Sequence, residues 1–572
     1  MSDKSGDLDP ISTALVHLFD SLLKVAVRES NLKIPAKLKI DFQRTKNREH
    51  GDFATNIALA LAKENERAPK EIADLLIKLL NSAKFTENLN EIGIKKIEVA
   101  GPGFINLFLE QQSRGQVINL ILSNLENFGH SNLLKGQRIN LEFVSANPTG
   151  PLHLGHTRWA AVGDGMARVL RAAGATVSTE FYINDRGNQM NLFAESIINV
   201  AQNKPVPADG YNGEYIKELA NQILTENPDF KKLTGEAAIT KYREAGYKLQ
   251  LSEQQQVLKD FRTHFDTWFS EESLYQDDFV NKVIEKYRAK GKVFTEEGAI
   301  WLRTTEFGDD KDRVLVKSDG AFAYFASDIA YYTSKRDRGF DLCIYLLGAD
   351  HHGYIARLKA AAGCAGDDPE KNIKVLIGQM VKIMEAGAEL KLSKRAGTII
   401  TLAELVEKVG VDAARYTLMR YPTDTPMVLD VDLLKKHTND NPVYYVQYAH
   451  ARICAMLRNA KDLSVTVLKH PIANQYLSLL GHEREIDLLS ALSKFPEVVA
   501  SSAQLLQPHR ICRYLEDLAG IYHRFYNDCR VLPVGAEKVS ELHQMRVTLS
   551  LATAQVIKNG LTLIGVEAPE RM

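Results

Sequence analysis

The sequence has few cysteines, no long apolar run and no excess of either charge. Its five cysteines form no C-x-x-C pair, and such a sparse, odd set is typical of reduced thiols and not of a disulfide framework or a zinc cluster. No apolar run approaches the ~20 residues that a membrane-spanning helix needs. The first ten residues, MSDKSGDLDP, lack the apolar core of a secretory signal. We therefore expect a cytoplasmic protein that has no membrane contact.

Charge and size set broad limits on function. Lys and Arg number 71 and Asp and Glu 72, so the net charge is −1 and any nucleic-acid site must be a local patch. At 572 residues the chain exceeds what one hydrophobic core supports, which favours roughly three or four domains. The hydrophobic share of 45% and the charged share of 25% are typical of a globular protein.

The first predicted domain, residues 1–112, is a small α+β unit. Apolar residues at helical spacing predict a helix over 11–30. Two shorter helices follow, and then two strands over 95–99 and 104–109 that meet at a Gly-Pro-Gly turn. This unit has no evident catalytic set.

The second predicted domain, residues 113–430, has an α/β pattern. A strand over 139–144, a helix over about 155–173 and a strand over 176–183 imply a parallel pair with a right-handed crossover. A mostly helical insertion at about 190–290 interrupts this pattern. The third predicted domain, residues 431–572, is nearly all helical.

The most specific local feature is the segment SANPTGPLHLGH, which ends at His156. It lies between a predicted strand and a predicted helix, where open α/β sheets bind ligands and helix amides attract anions. His153 and His156 can donate to phosphoryl oxygens, and Gly155 leaves room for a nucleotide against the backbone. With 15 His and 36 Gly in the chain, H-x-G-H arises by chance only ~0.03 times. The alternatives are a histidine pair on a helix surface and an incomplete metal site.

A second basic element, KLSKR, places Lys391, Ser393 and Lys394 before a glycine. Two ammonium groups and a hydroxyl suit a loop that clamps a polyphosphate, because phosphoryl transfer is catalysed mainly by positioning and by neutralising charge on oxygens. The alternative is an ordinary basic surface loop. Together with the HLGH segment, this element predicts a nucleoside triphosphate site.

These two segments resemble the HIGH and KMSKS elements of class I aminoacyl-tRNA synthetases. Other segments narrow the resemblance to the arginyl-tRNA synthetases: EFVSANPTGPLHLGHTR, FYINDRGNQ, LLGADHHGYIARL, KLSKRAGT, DAARY, NPVYYVQYAHARI and the closing ERM. The resemblance covers essentially the whole chain. It implies a Rossmann-like parallel-sheet catalytic domain, an N-terminal additional domain that meets the tRNA D-loop, and a C-terminal anticodon-binding helical bundle.

Candidate residues for an arginine substrate lie on two elements. Glu142 ends the strand that leads into the HLGH segment, and its side chain can face the ligand crevice. Tyr324 and Asp328 are spaced i, i+4 on a predicted helix, and a guanidinium needs acidic partners in fork geometry. The resemblance implies that these three residues hold the guanidinium and that Asn147 and Ser145 hold the α-amino group. For Asp328 the alternative is an exposed helix charge.

The resemblance also implies the reaction. The arginine carboxylate attacks the α-phosphorus of ATP, which enters with Mg²⁺ and needs no protein metal site, and the terminal adenosine of tRNA then attacks the arginyl-adenylate through its 2′-hydroxyl. The first step is expected to need tRNA. Asp185 and Gln189 are expected near the site. The residues expected to bind ATP are Gly155, His153, His156, Ser393, Lys391, Lys394 and Asp350, of which the two histidines and two lysines are the catalytic candidates.

A stripe of aromatic and basic residues predicts an RNA contact in the third domain. Tyr444, Tyr448 and Arg452 follow each other at i, i+4 and i+8, and aromatic faces beside a guanidinium can stack on unpaired bases. The alternative is an aromatic helix packed in the core of a bundle. The resemblance implies that the tRNA is contacted by Tyr448, Arg452, Met572, Asn106 and Phe108.

Two other functions fit parts of the sequence. A small-molecule adenylate-forming ligase would use the same two phosphate elements without tRNA, but the helical region 431–572 argues against it. A catalytically inactive RNA-binding relative would not need intact HLGH and KLSKR elements. The implied partners are therefore tRNA(Arg), L-arginine and ATP, and a monomer is the expected state.

Overall fold

The computed structural model describes residues 10–45, 47–351, 353–390 and 400–572, without the side chains of Arg48 and Asp350. The predicted ATP-site residues Lys391, Ser393 and Lys394 and the side chain of Asp350 therefore lie outside the described part of the chain.

The N-terminal domain is a four-stranded antiparallel sheet, in the order β1-β2-β4-β3, with helices packed on one face. The prediction of an α+β unit is confirmed. Its elements are α1 (Pro10–Ser30), β1 (Gln43–Arg44), β2 (Phe53–Thr55), α2 (Ile57–Asn65), α3 (Pro69–Leu80), α4 (Thr86–Ile92), β3 (Ile94–Ala100) and β4 (Phe104–Leu109).

Helix α1 is the one helix in the described ranges that is long and apolar enough to cross a membrane. Leu15, Leu18, Phe19, Leu22 and Leu23 are nevertheless buried in the core of the N-terminal domain, against the helices and the sheet. Such burial is typical of a core helix of a globular domain.

The catalytic domain is built on a five-stranded parallel sheet, in the order β12-β11-β5-β6-β7. Its first half contains α5 (Gln111–Asn124), β5 (Arg138–Glu142), α6 (Leu154–Ala172), β6 (Thr176–Ile183), α7 (Asn188–Ala201), α8 (Glu214–Glu226), α9 (Gly235–Asp260), β7 (Thr267–Ser270) and α10 (Phe279–Ala289). Its second half contains β8 (Val293–Glu296), β9 (Ala299–Leu302), β10 (Arg313–Val316), α11 (Tyr324–Asp337), β11 (Leu342–Gly348), α12 (Tyr354–Ala365), β12 (Ile373–Gly378), β13 (Val381–Glu385), β14 (Ala388–Glu389), α13 (Leu402–Val409), α14 (Val411–Met419) and β15 (Met427–Asp430).

The chain reverses its direction across this sheet between β5 and β11. Strands β5, β6 and β7 progress toward one edge, and the chain then returns to place β11 on the other side of β5. In open α/β sheets the crevice beyond the carboxyl ends of the strands at such a reversal is the usual ligand site. The fold therefore places the end of β5, with the HLGH segment, beside the end of β11.

The predicted insertion over about 190–290 is mostly helical, but it also contains one strand of the main sheet. Helices α7, α8 and α9 fill its first part, but β7 pairs with β6 as the edge strand of the main sheet. With only four residues, Thr267–Ser270 is too short to show an alternating pattern, so the surrounding helical periodicity obscured it.

Close packing fixes α6 against the sheet. Phe143 follows β5, and a Cβ at position 163 of α6 would collide with its ring, so Gly163 permits the approach. Most of α6 is buried, including Trp159 and Met166. The N-terminus of α6 is therefore held rigidly at the carboxyl edge of the sheet.

The C-terminal domain is a helical bundle, as predicted. Its helices are α15 (Val431–Leu434), α16 (Pro442–Asp462), α17 (Asn474–Leu477), α18 (Glu483–Ser493), α19 (Phe495–Gln504), α20 (His509–Asp528) and α21 (Glu541–Leu563). Its core is continuous with that of the catalytic domain.

Buried arginines join the bundle to the catalytic domain. Arg415 on α14 is fully buried, pairs with Asp164 of α6 and donates to the carbonyls of Phe261 and Ile564. Arg158, on α6, donates to the carbonyl of Gln379 before β13 and to two carbonyls in the loop between α14 and β15. These bonds tie α6 to the end of the chain and to the segment that follows the main sheet.

Arg415→Met should lower the melting temperature far more than Arg168→Met. Both arginines pair with Asp164, but Arg168 is partly exposed, whereas Arg415 is fully buried. Removing one partner of a buried ion pair costs roughly 3–5 kcal/mol, whereas an exposed i, i+4 pair contributes about 0.5 kcal/mol or less. Circular dichroism during heating measures the difference, and equal losses in the two variants would contradict the role given to Arg415.

Candidate active site

The HLGH segment lies at the N-terminus of α6. His153 is the residue that caps the helix, and its Nδ1 atom accepts a hydrogen bond from the amide of Gly155 at 3.1 Å. The rings of His153 and His156 are 4.0 Å apart. A Cβ at position 155 would approach the His153 ring to 3.0 Å, so glycine gives this ring its space. Two imidazoles thus stand beside helix amides at an edge that favours anions.

The chain that follows the KLSKR element, residues 400–402, contacts the HLGH segment. The amide of Leu154 donates to the carbonyl of Ile400 at 3.2 Å, and the amide of Leu402 donates to the carbonyl of Leu152 at 2.8 Å. Thr401, between them, forms a bridge with His153. The first described residues after the KLSKR loop are therefore bonded directly to the HLGH segment.

The backbone between β5 and the HLGH segment is strained. Val144 and Ser145 are consecutive non-glycine residues with φ of 69° and 43°. The Ser145 hydroxyl donates to Glu142 at 3.1 Å and accepts from the amide of Tyr182 on the neighbouring strand at 3.1 Å. Left-handed backbone of this kind costs on the order of 1–3 kcal/mol per residue and persists where surrounding bonds hold it, as they do here.

Three carboxylates gather at the crevice. They belong to Glu142 at the end of β5, to Asp328 on α11 and to Glu271, which directly follows β7. Burial and the charges of Glu271 and Glu142 together raise the pKa of Asp328 to about 7, although Arg357 opposes the rise. Burial and the charge of Asp185 likewise raise the pKa of Glu271.

One carboxylate oxygen of Asp328 has no hydrogen-bond donor. Its buried Oδ2 atom accepts no bond from any residue in the described ranges. A buried carboxylate without a donor is costly, so this atom marks a place for a cationic or hydrogen-bond-donating ligand. The exposed-charge alternative for Asp328 is wrong.

Glu142 has protein partners already. Its Oε2 atom accepts from the ammonium of Lys335 at 2.6 Å, and its Oε1 atom accepts from Ser145. Tyr324 lies one turn before Asp328 on α11, as the spacing predicted, but its side chain is 89% exposed.

The predicted α-amino contacts join two strand ends. The Asn147 side-chain amide donates to Gln189 at 3.1 Å, and Gln189 in turn donates to the carbonyl of Asn184. Asp185 accepts from Ser270 and from the amide of Glu272, and so connects the loop after β6 to the segment after β7. Asp185 therefore lies in the loop after β6, and Gln189, at the start of α7, contacts Asn147.

The sequence patterns did not predict Glu271 and Lys335 as site residues. Glu271 follows β7, a strand that the sequence pattern did not reveal. Lys335 stands seven residues after Asp328, so the two share one face of α11 with Tyr331, and this spacing was the available signal.

The predicted RNA-contacting stripe lies on the surface of α16. The rings of Tyr444 and Tyr448 stack 5.9 Å apart, and Tyr448 is 36% exposed, so it is not a bundle-core residue. The Arg452 guanidinium lies 4.5 Å from the Tyr526 ring, and its Nη1 atom is 3.3 Å from Nδ1 of His523. Burial and Arg452 lower the pKa of His523 to about 4, so this imidazole is neutral and can accept.

The remaining predicted RNA contacts differ in accessibility. Met572 is exposed at the end of a tail that is tied to α16 by the 2.9 Å contact of His450 with the carbonyl of Pro569. Asn106 and Phe108 share the sheet face of β4 opposite the helices. Asn106 is only 3% exposed, and Lys96 lies 4.9 Å from the Phe108 ring, so a ligand reaches Asn106 only if neighbouring side chains move.

Three family profiles together match most of the chain. They are described as the arginyl tRNA synthetase N-terminal domain at residues 17–109, the class I (R) tRNA synthetase catalytic domain at 117–453, and the DALR anticodon binding domain at 446–572.

Individual relatives match over nearly their full length. The arginine–tRNA ligase of Paenarthrobacter aurescens is 49% identical over 564 residues, which cover 99% of this chain and 97% of that protein. The corresponding ligase of Renibacterium salmoninarum is 49% identical over 567 residues, with coverages of 99% and 100%. The structure of the Thermus thermophilus arginyl-tRNA synthetase matches with a TM-score of 0.72, at 20% identity and with coverages of 98% and 100%, and supports the fold.

Asp328→Asn should stabilise the protein above neutral pH. An acid whose pKa rises from 3.8 to about 7 on folding binds a proton that the unfolded chain releases, so folding stability falls as the pH rises from about 4 to 7. The penalty is largest, at most roughly 4 kcal/mol, once Asp328 is ionised. Melting temperatures should therefore be higher for the variant at pH 8 and similar to the parent at pH 4.5. A variant that melts lower than the parent at pH 8 would contradict the buried, unpaired carboxylate.

Proposed function

The chain belongs to the arginyl-tRNA synthetases of class I, and from this premise we propose which of its residues carry out each part of the reaction. The enzyme ligates L-arginine to its tRNA with ATP, through an arginyl-adenylate, and releases AMP and diphosphate. The observation that carries the assignment of residues is the buried Oδ2 atom of Asp328, which has no donor in the described structure and faces two further carboxylates.

We propose that the acidic crevice binds the arginine guanidinium. The guanidinium is planar, always charged and rich in donors, so it supplies both the charge and the hydrogen bonds that Asp328 lacks. Asp328 and Glu142 are the principal acceptors, Glu271 adds a third carboxylate, and the Tyr324 phenol closes the open side. Lysine, with a single compact ammonium, would satisfy fewer of these acceptors.

The other end of arginine is oriented by the loop after β5. Asn147 and Ser145 are proposed to hold the α-amino group, and the Asn147–Gln189 bond fixes the amide that does so. The substrate carboxylate is then left free to point toward the N-terminus of α6. A free, oriented carboxylate is the nucleophile that adenylate formation requires.

ATP is proposed to lie along the HLGH segment. His153 and His156 donate to phosphoryl oxygens, Gly155 admits the nucleotide, and Asp350 contributes from the end of β11. Lys391, Ser393 and Lys394 are proposed to neutralise the departing diphosphate. Lys394 is six residues from Ile400, which is bonded to Leu154, so extended chain would separate the two by at most about 20 Å.

The chemistry needs no covalent enzyme intermediate. One carboxylate oxygen of arginine forms a bond to the α-phosphorus, the bond from that phosphorus to the bridging oxygen breaks, and diphosphate leaves with Mg²⁺ on its oxygens. The terminal adenosine hydroxyl then attacks the arginyl carbonyl, and AMP leaves. The protein acts by positioning the reactants and by stabilising charge on oxygens.

The two outer domains are proposed to hold the tRNA. Tyr448 and Arg452 would stack on and bond anticodon bases, with Met572 nearby, and Phe108 and Asn106 would meet the D-loop. We further propose that the enzyme acts as a monomer in the cytoplasm and that arginine activation requires bound tRNA. Arginine-dependent diphosphate exchange into ATP, measured with and without tRNA, tests this last point.

Asp328→Asn should raise the KM for arginine by about 100-fold, because a charge-assisted, fork-like bond of roughly 2–3 kcal/mol is lost. Binding of ATP should be unchanged. In the parent the KM for arginine should fall as the pH rises from 6 to 8, since Asp328 must lose its proton, and the variant should lack this pH dependence.

Asp337→Asn is the matched control, because Asp337 lies on the same helix and pairs with the half-exposed Lys286. Its arginine kinetics should stay within twofold of the parent. Near-normal arginine kinetics in Asp328→Asn would remove Asp328 from the pocket.

Tyr448→Ala should raise the KM for tRNA by about tenfold and leave arginine and ATP kinetics unchanged, because loss of one base-stacking contact costs roughly 1–3 kcal/mol. Leu505→Ala, at an exposed apolar residue directly after α19, is the control and should change no constant. An unaltered KM for tRNA in Tyr448→Ala would exclude the stacking role.

A further inference from the structure

Lys335 is a fully buried lysine beneath the proposed arginine pocket. Its side chain is 0% exposed, and its Nζ atom lies 2.6 Å from Oε2 of Glu142 and 4.0 Å from Oε1 of Glu180. The rings of Tyr331 and Tyr345 flank the ammonium at 4.2 and 3.8 Å. Helix α11 thus places a buried ammonium group against the carboxyl end of the central sheet.

The sheet register explains why a cation is needed there. Glu142 on β5 and Glu180 on β6 are directly paired residues of adjacent parallel strands, so their side chains project from the same face. Two buried carboxylates side by side repel each other. Glu180 is compensated by a bidentate bond from Arg338, at 2.5 and 3.0 Å, and accepts from Tyr331 at 2.6 Å. Lys335 is therefore the cation that remains for Glu142.

Stability alone gives no reason to keep this pair. Removing two charges from water costs several kcal/mol per ion, and well-packed apolar residues in place of a buried pair are often as stable or more stable. The pair lies at the carboxyl edge of the sheet. Glu142 stands two residues before Val144, where the strained loop that leads to HLGH begins. A functional demand on Glu142 accounts for its retention.

We propose that Lys335 is a positioning residue for arginine recognition, which orients the Glu142 carboxylate and balances its charge without touching the substrate. This inference rests on the proposed role of Glu142 in the arginine pocket. Without Lys335, the Glu142 carboxylate would be buried beside Glu180 and would lack both its counter-charge and the bond that fixes its orientation. A carboxylate that turned away from the pocket would no longer accept from the guanidinium, which carries only donors.

The groups that face Lys335 come from every element around it. They are Glu142 of β5, Glu180 of β6, Tyr345 and Cys343 of β11, Tyr331 of α11, and Arg338, which directly follows α11. Among these, only the two glutamates carry negative charge near neutral pH, because burial raises the pKa of Tyr331 and Tyr345 well above the usual range and that of Cys343 to about 11. The negative charge that Lys335 balances is therefore that of the two glutamates.

The test compares Lys335→Met, Glu142→Gln and the double variant in arginine-dependent diphosphate exchange with tRNA present. Lys335→Met should raise the KM for arginine at least about tenfold at pH 7, roughly 1.4 kcal/mol, with the KM for ATP unchanged. A purely structural role predicts a loss that is shared by both substrates, and that result would overturn the proposal.

The double variant keeps the test decisive if Lys335→Met folds poorly. It removes both members of the Lys335–Glu142 ion pair, so neither charge of that pair is left buried without its partner. Because Lys335 acts through Glu142, the double variant should have the arginine KM of Glu142→Gln within about twofold. A further tenfold loss in the double variant would contradict the proposal.

Lys286→Met is the control, because Lys286 pairs with Asp337 at the exposed end of α11 and should change nothing. The single variants distinguish the proposed role of Glu142 in the pocket from the inferred role of Lys335. If Glu142→Gln leaves the arginine KM unchanged, the proposed pocket is wrong at Glu142 and the inference is overturned with it. If Glu142→Gln raises the KM but Lys335→Met does not, only the inference about Lys335 is wrong.

Discussion

The desolvated carboxylates at the carboxyl edge of the central sheet are the constraint on which the rest of the site depends. Asp328, Glu142 and Glu271 are brought together by three different elements, α11, β5 and the segment after β7. Their mutual repulsion and burial destabilise the empty protein, as the raised pKa of Asp328 records. A guanidinium bound as proposed would relieve both effects at once, so the instability of the empty site would favour the binding of arginine.

A rigid frame is needed to hold like charges in this arrangement. Helix α6 carries the HLGH segment at its N-terminus and is fixed along its length by Phe143 packing and by the bonds of Arg158 and Arg415. Arg415 also binds the carbonyl of Ile564, close to the tail that lies on α16. The same buried arginine therefore connects the catalytic helix to the domain that is proposed to bind the anticodon.

Much of this organisation was predictable from sequence because it follows local patterns. The strand–loop–helix unit around HLGH, the i, i+4 pair Tyr324 and Asp328, and the exposed stripe with Tyr448 each depend on periodicity within one element. Glu271 and the edge strand β7 were missed because four residues carry too little pattern. The Lys335–Glu142 pair and the burial of Asn106 were missed for a different reason: both arise from packing between elements far apart in sequence, which no local pattern records.

The proton balance of arginine binding tests the central claim most directly. If the guanidinium binds to a carboxyl whose pKa is about 7, titration calorimetry near pH 7 in buffers of different ionisation enthalpy should show release of about half a proton per arginine bound. The same titration with Asp328→Asn should show much weaker binding without that release. Tight binding of arginine to the parent enzyme with no proton released would show that the arginine site contains no protonated carboxyl group.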